Sequence, residues 1–218
     1  MIAAGFMAAT KVESGRHSVG SPLATMSRAL KHAVRDANVR RTLLLIGTSG
    51  TFFLSVKWFF NPLLQGLHLP LPLWGTVIGA TLGLPLAGIW IYRHTKREQA
   101  LWPAVLMYGV IIAPLGLTSI GLWPLAALFA AMVIFGYLNI DLNVRLNEAI
   151  QIKERASILS LASLLQRAGT SLYTPLAGLV LAHYSMKSLM LGTAMGLMVI
   201  MLPLALRLAK PAILTGKS

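Results

Sequence analysis

The chain has 218 residues, of which 56% are hydrophobic and only 11% charged, whereas a soluble domain carries about 25% charged and about 45–50% apolar residues. With a mean hydropathy of +0.71, this composition excludes a soluble enzyme or a free nucleic-acid-binding domain and points to a lipid bilayer. The net charge of +13 is then a matter of position, because short cytoplasmic loops of membrane proteins collect Lys and Arg.

Residues 1–9 are apolar but far shorter than the roughly 20 residues a membrane helix needs. They lack the basic start of a signal peptide and read as the tail of a helix. A polar stretch, residues 13–21, follows. Leu23, Met26, Leu30, Val34 and Ala37 then fall at helical spacing, with Arg28, Lys31 and Arg35 on the remaining surface. This pattern predicts a short amphipathic helix on the inner leaflet; the plainer alternative is a solvated basic linker.

Six apolar runs come next, and helices are the form in which they can span lipid, since an open strand leaves backbone groups unsatisfied. The first, residues 42–64, opens after Arg40 and Arg41 and contains one charge, Lys57. Thr48, Thr51, Ser55, Trp58, Pro62 and Gln65 share one of its faces. Such a face suits a path for amphipathic cargo, and equally suits helix packing through small polar residues. Lys57 lies nearly opposite, where it either snorkels to the interface or takes part in the path. The second run, residues 69–92, closes at Arg93 and carries Gly75, Gly79 and Gly83 as a ridge for close helix approach.

Residues 100–138 contain no charge at all, too long a stretch for one helix. The turn Thr118-Ser119-Ile120-Gly121, with Pro124 after it, divides it into a third and a fourth span. Asp141 lies at the inner end of the fourth, with Arg145 four residues later, the favourable order for a local ion pair. The alternative is a proton relay through Asp141, an intramembrane carboxylate. Asn139, Asn143 and Asn147 recur on another face and are expected to bond across to a neighbouring helix.

The fifth run, residues 157–182, places Ser160, Ser163, Arg167, Thr170, Thr174 and Gly178 on one face. Arg167 follows Arg155 by 12 residues, a depth of roughly 18 Å at 1.5 Å per residue. An arginine there costs at least about 2.5–3.5 kcal/mol, so it must meet protein, carbonyls or a cavity. It reads either as an anchor for an anionic substrate or coupling network, or as a packing residue bonded to carbonyls. The sixth run is residues 187–207. Pro85, Pro114, Pro175 and Pro203 are positioned to kink their helices.

The loops orient these runs. One side receives 16 of the 19 basic residues and the other only Lys187, with Lys57 and Arg167 inside spans. By the positive-inside rule both termini are cytoplasmic, and the basic character is topology with no nucleic acid implied. Residues 41–120 and 121–208 then form two three-helix groups of opposite topology, flanked by cytoplasmic segments 1–40 and 209–218. The expected class is an all-α membrane protein of six transmembrane helices arranged as two inverted three-helix repeats.

Three stretches resemble a known family. Gly88-Ile-Trp-Ile-Tyr92-Arg93-His94-Thr95-Lys96-Arg97 resembles the degenerate C-terminal copy of the G-x-x-x-D-R-x-G-R-R loop motif of the major facilitator superfamily. Gly88, Arg93, Lys96 and Arg97 match, while Tyr92 and Thr95 replace the acidic residue and the second glycine. Residues 147–167, with Glu154-Arg155-Ala156-Ser157 and Leu164-Leu165-Gln166-Arg167, resemble the junction of helices ten and eleven in drug-efflux-like members. Thr174-Pro175-Leu176-Ala177-Gly178 is similar to the P-x-x-G bend of that helix.

The resemblance implies the C-terminal six-helix half of such a transporter, residues 1–40 being the inter-half linker. It further implies secondary transport of a small molecule, in the efflux direction of those members, with a coupling ion such as H+ and no bound cofactor. The expected partners are the bilayer of the plasma or inner membrane, the substrate, and an N-terminal six-helix half or a second copy. The pathway candidates are Arg167, Ser163, Thr170, Thr174, Thr51, Ser55, Trp58, Lys57 and Asp141. The rival is a non-transporting membrane interaction protein, or the remnant of a truncated transporter.

Catalysis finds little footing. No Cys is present, the five His lie in tails, loops or span ends, and none forms an H-x-x-x-H metal pair. A Ser49 and His183 dyad is ruled out by a vertical separation of roughly 20 Å from helix rise.

Overall fold

A computed structural model of the chain describes residues 27, 30, 31, 33–58, 60–95, 97–116, 123–150 and 155–214, with the side chains of 55–60, 62, 97–99, 114, 116 and 209–214 excepted. Among the described residues there are helices and turns and no strand. The helices are α1 (Ala37–Trp58), α2 (Phe60–Gly66), α3 (Leu71–His94), α4 (Arg97–Ile112), α5 (Trp123–Ala149), α6 (Arg155–His183) and α7 (Met186–Leu214). A 3-10 turn, Ala113–Gly116, ends α4 and contains Pro114, which therefore kinks no helix.

Three of these helices are long and apolar enough to cross a membrane: α3, α5 and the Met186–Leu208 part of α7. The apolar part of α4, Ala100–Ile112, is shorter. In α6 the stripe of Ser, Thr and Arg dilutes the apolar character, and in α1 the threonines and the arginine pair do the same. The first apolar run is helical on both sides of Phe59, as α1 up to Trp58 and as α2 from Phe60, and Phe59 itself lies outside the described residues. The turn at Thr118, Ser119, Ile120 and Gly121 lies outside the described residues, as does the segment 1–26.

Local chemistry sets the helix ends. Asp36 caps α1: its Oδ1 accepts the backbone N–H of Asn38 at 2.8 Å and of Val39 at 3.1 Å, two donors that a helix start leaves without partners. The cap separates α1 from the helical residues before it, where Ala33 is buried while Leu30 and Val34 are exposed. The apolar face expected of that segment thus points away from the bundle. Asp36→Ala is expected to lower stability by about 1 kcal/mol, measurable as a shift of the unfolding midpoint in detergent. At the end of α2, His68 adopts a positive φ of 52°. The His68 N–H bonds to Gln65 O and that of Leu69 to Leu64 O. This is the Schellman arrangement, with histidine in the place glycine usually holds.

The packing has two layers. In the first, α3 lies on α5, α5 on α1, and α1 on α6; behind them α4 rests on α5 and on α7, and α7 rests on α1. Central α5 is buried around most of its girth by Leu128, Met132, Phe135, Leu138 and Leu142, as expected of a helix surrounded by others. Phe53 of α1 stacks on Phe135 of α5 with centroids 3.6 Å apart.

Among the described residues three crossings are closer than side chains allow, each made by glycine, one of them by Gly109 of α4 against Met198 of α7. A Cβ on Gly88 of α3 would overlap the Val133 carbonyl of α5, and one on Gly136 of α5 would overlap the Pro85 backbone of α3. Between α1 and α6, Gly50 faces Gln166 and Gly169 faces Thr51. The ridge expected to carry close approach, Gly75, Gly79 and Gly83, has nothing within 4 Å. It sits on the side of α3 away from Val77, Thr81 and Gly88, the residues buried against the bundle.

Candidate functional site

The polar stripe of α6 is presented on the outside of this bundle. Ser160, Ser163 and Arg167 are exposed, and Thr170 and Thr174 are half-buried. Ile158 and Ala162, away from that stripe, are buried, as is Ala177 beside it. Arg167 lies 12 residues after Arg155 and 16 before His183, near the middle of the helix, and makes no hydrogen bond or ion pair among the described residues. A third strip of α6, Leu172, Leu176 and Leu179, is exposed and wholly apolar. One helix thus shows a polar strip and an oily strip on the two flanks of the face it packs against the bundle.

Thr51 is not on an open face. It is buried in the crossing of α1 and α6, where its hydroxyl donates to Gly47 O at 2.8 Å and approaches Gln166 O at 3.4 Å. The Gln166 amide returns a bond to Ile46 O at 3.3 Å, and Thr170 donates to the Gln166 carbonyl at 2.8 Å. Polar bonds of this kind hold helices together where lipid offers no hydrophobic force between them. Thr51 thus takes part in helix packing, and it also lines a cavity beside that crossing. Gln166 was not singled out by its sequence pattern, since nothing local marks which side of α6 meets α1. The side chains of Ser55, Lys57 and Trp58 lie outside the described residues.

A second interhelical bond was equally hidden: the hydroxyls of Tyr173 on α6 and Thr193 on α7 are hydrogen-bonded. Tyr173 also sets its ring edge against Phe52, with centroids 5.2 Å apart. These groups border a cavity of about 310 Å3 between α1, α6 and α7. A neighbouring one of about 250 Å3 takes in Thr48, Gly47 and Ile200.

Asp141 and Arg145 form the expected local pair. Arg145 Nε donates to Asp141 Oδ2 at 2.8 Å, with the carboxylate side chain fully buried and the arginine 20% exposed. The asparagines behave differently from expectation. Asn143 donates to the carbonyl and side chain of Asn139 within α5, because i,i+4 neighbours on a helix are already within reach. Asn147 does reach another helix, accepting from Arg155 Nε at 2.8 Å.

The loop-motif residues divide in the same way. Gly88 is the contact point of α3 with α5, and Arg93 is exposed in the last turn of α3. Tyr92 sets its ring edge against Tyr137 of α5, with centroids 5.7 Å apart. Thr95 caps the helix, its hydroxyl donating to Ile91 O at 2.9 Å. Lys96 and the side chain of Arg97 lie outside the described residues. Ser49 donates to Ile46 O within α1, whereas His183 is exposed in the last turn of α6. Comparison with known protein families, curated proteins and solved structures returns no match to this chain.

Proposed function

We propose that this chain is a six-helix half of a secondary transporter of the major facilitator type, in the plasma or inner membrane with both termini cytoplasmic. It moves a small molecule, coupled to an ion such as H+, along a path bordered by the polar strip of α6. The two inverted repeats are α1, α3 and α4, then α5, α6 and α7.

The observation that carries this reading is an exchange symmetry in the packing. Swapping α1 with α5, α3 with α6 and α4 with α7 turns the α3 on α5 contact into α6 on α1, and α4 on α5 into α7 on α1. The pairs α1 with α5 and α4 with α7 map onto themselves; the slight contact of α6 with α7 is the exception. The glycine crossings exchange as well, Gly88 and Gly136 with Gly169 and the Gly47, Gly50 pair. Repeats related by an axis in the membrane plane give this pattern.

Arg167 supplies the second support. Its mid-helix position facing outward is costly against lipid and inexpensive against a water-filled path closed by a second six-helix half. The absence of Cys from the sequence makes the test direct. In native membranes, Ser163→Cys and Thr174→Cys are expected to react with a water-soluble maleimide, whereas Leu172→Cys and Leu179→Cys stay unlabelled. In vesicles holding the chain with its partner half, Arg167→Ala is expected to abolish flux while the bundle stays folded. Labelling of neither strip would leave the rival reading, a non-transporting membrane interaction protein, which the packing role of Thr51 also favours.

A further inference from the structure

Helices α3 and α4 both rest on α5 and barely touch one another. Between them opens a cleft of about 250 Å3 whose lining includes Ile91, Pro103, Met107, Val133, Ile134 and Tyr137. Its mouth faces the oily exterior, since Ile91 is 41% and Met107 52% exposed. One polar group in it has no hydrogen-bond partner among the described residues. It is the hydroxyl of Tyr137, a residue only 6% exposed. A buried hydroxyl left in that state loses about 1–3 kcal/mol of hydration without return. Thr95, the other hydroxyl lining the cleft, already donates to Ile91 O.

The cleft between α1, α6 and α7 makes the contrast. It too holds a tyrosine, Tyr173, but there Thr193 completes the hydrogen bond from within the protein. Of these two clefts, the one between α3, α4 and α5 leaves its tyrosine hydroxyl without an acceptor among the described residues.

Depth and charge identify the donor of that acceptor. The Tyr137 ring rests against Tyr92, which is one turn from the end of α3, where Arg93 and His94 are exposed. Tyrosines at this level of a bilayer lie in the interfacial belt, beside the glycerol esters. With the helices alternating in direction, Arg40, Arg41, Arg145, Arg155 and Arg207 belong to the same end as Arg93, a field that attracts anionic headgroups.

We infer that this cleft is a binding site for an anionic glycerophospholipid, one acyl chain lying between α3 and α4 and an ester carbonyl accepting the Tyr137 hydroxyl. The site needs only that the chain resides in a membrane, and stands or falls separately from the transport reading.

The experiment uses the whole chain, delipidated in nonionic detergent and titrated with diester phosphatidylglycerol, its dialkyl ether analogue and phosphatidylcholine, with bound lipid counted by native mass spectrometry. One diester phosphatidylglycerol per chain is expected to be retained. Tyr137→Phe weakens it about five- to tenfold, the ether analogue binds the wild-type chain as weakly, and the two losses do not add. Met107→Trp, which fills the cleft, removes binding. In lipid-free detergent Tyr137→Phe melts at or above the wild type, because the hydroxyl it deletes has no partner to lose. Equal binding of diester and ether lipids to the wild-type chain overturns the proposal, as does undiminished binding to Tyr137→Phe or Met107→Trp. Phosphatidylcholine bound as tightly as phosphatidylglycerol overturns the anionic assignment.

Discussion

Gly136→Val is expected to detach α3 and destabilise the bundle by about 3 kcal/mol or more, beyond the usual range for overpacking. The reason is what the new side chain meets. A Cβ on Gly136 would lie 2.6 Å from Pro85 Cα and 2.7 Å from its carbonyl carbon. These are backbone atoms of a helix, so no rotamer change can relieve the overlap, and the whole of α3 must retreat. Packing on α5 is also the main attachment that α3 has. Retreat there opens the crossing along its length, including Gly88 against Val133 and Tyr92 against Tyr137. Gly79→Val provides the control. Nothing lies within 4 Å of that position, so the change is expected within about 0.5 kcal/mol of neutral. Unfolding midpoints of the two variants in the same detergent read the difference directly, and equal midpoints would mean that α3 is not held at this crossing.

The pair of glycine sites also marks where sequence pattern stops being informative. Gly75, Gly79 and Gly83 carry the periodic small-residue signal, yet they face away from the bundle, while Gly88 and Gly136 make the contact as isolated residues. Spacing reports that one face of a helix is small; which face meets a neighbour is decided by the neighbour. Runs between charges predicted α3, α5 and α7 closely because burial in lipid acts on each residue alone.

The same division runs through the candidate site. The pair of Asp141 and Arg145 and the contact of Asn139 with Asn143 follow from i,i+4 geometry, so a single helix contains the answer. The depth of Arg167 is a matter of counting residues along α6. Its outward exposure, the burial of Thr51 and the bridging role of Gln166 are not, since each depends on how α1 and α6 meet. A hydroxyl stripe looks alike in sequence whether it lines a path or seals a seam. Even the stretch matched to the loop motif changes meaning on folding: where the motif has an acid, Tyr92 makes an aromatic contact with Tyr137.

Asp141→Ala is expected to lower stability by about 3 kcal/mol, and Arg145→Ala by a similar amount, because breaking a buried pair from either side strands charge that folding has removed from water. The carboxylate side chain is fully buried and the arginine keeps 20% exposure, so Arg145 retains some access to solvent once Asp141 is gone. Replacing both residues by leucine should cost less than either single change, since no unpaired charge is left and the volume is filled. That non-additivity, read from unfolding curves of the four proteins, identifies a pair held for structure. A proton-carrying Asp141 predicts a different set of results. Asp141→Asn would then leave stability near wild type while flux in vesicles lost its dependence on a pH gradient. The ion pair at 2.8 Å within one helix favours the first outcome, and single variants that unfold no more readily than the double leucine variant would overturn it.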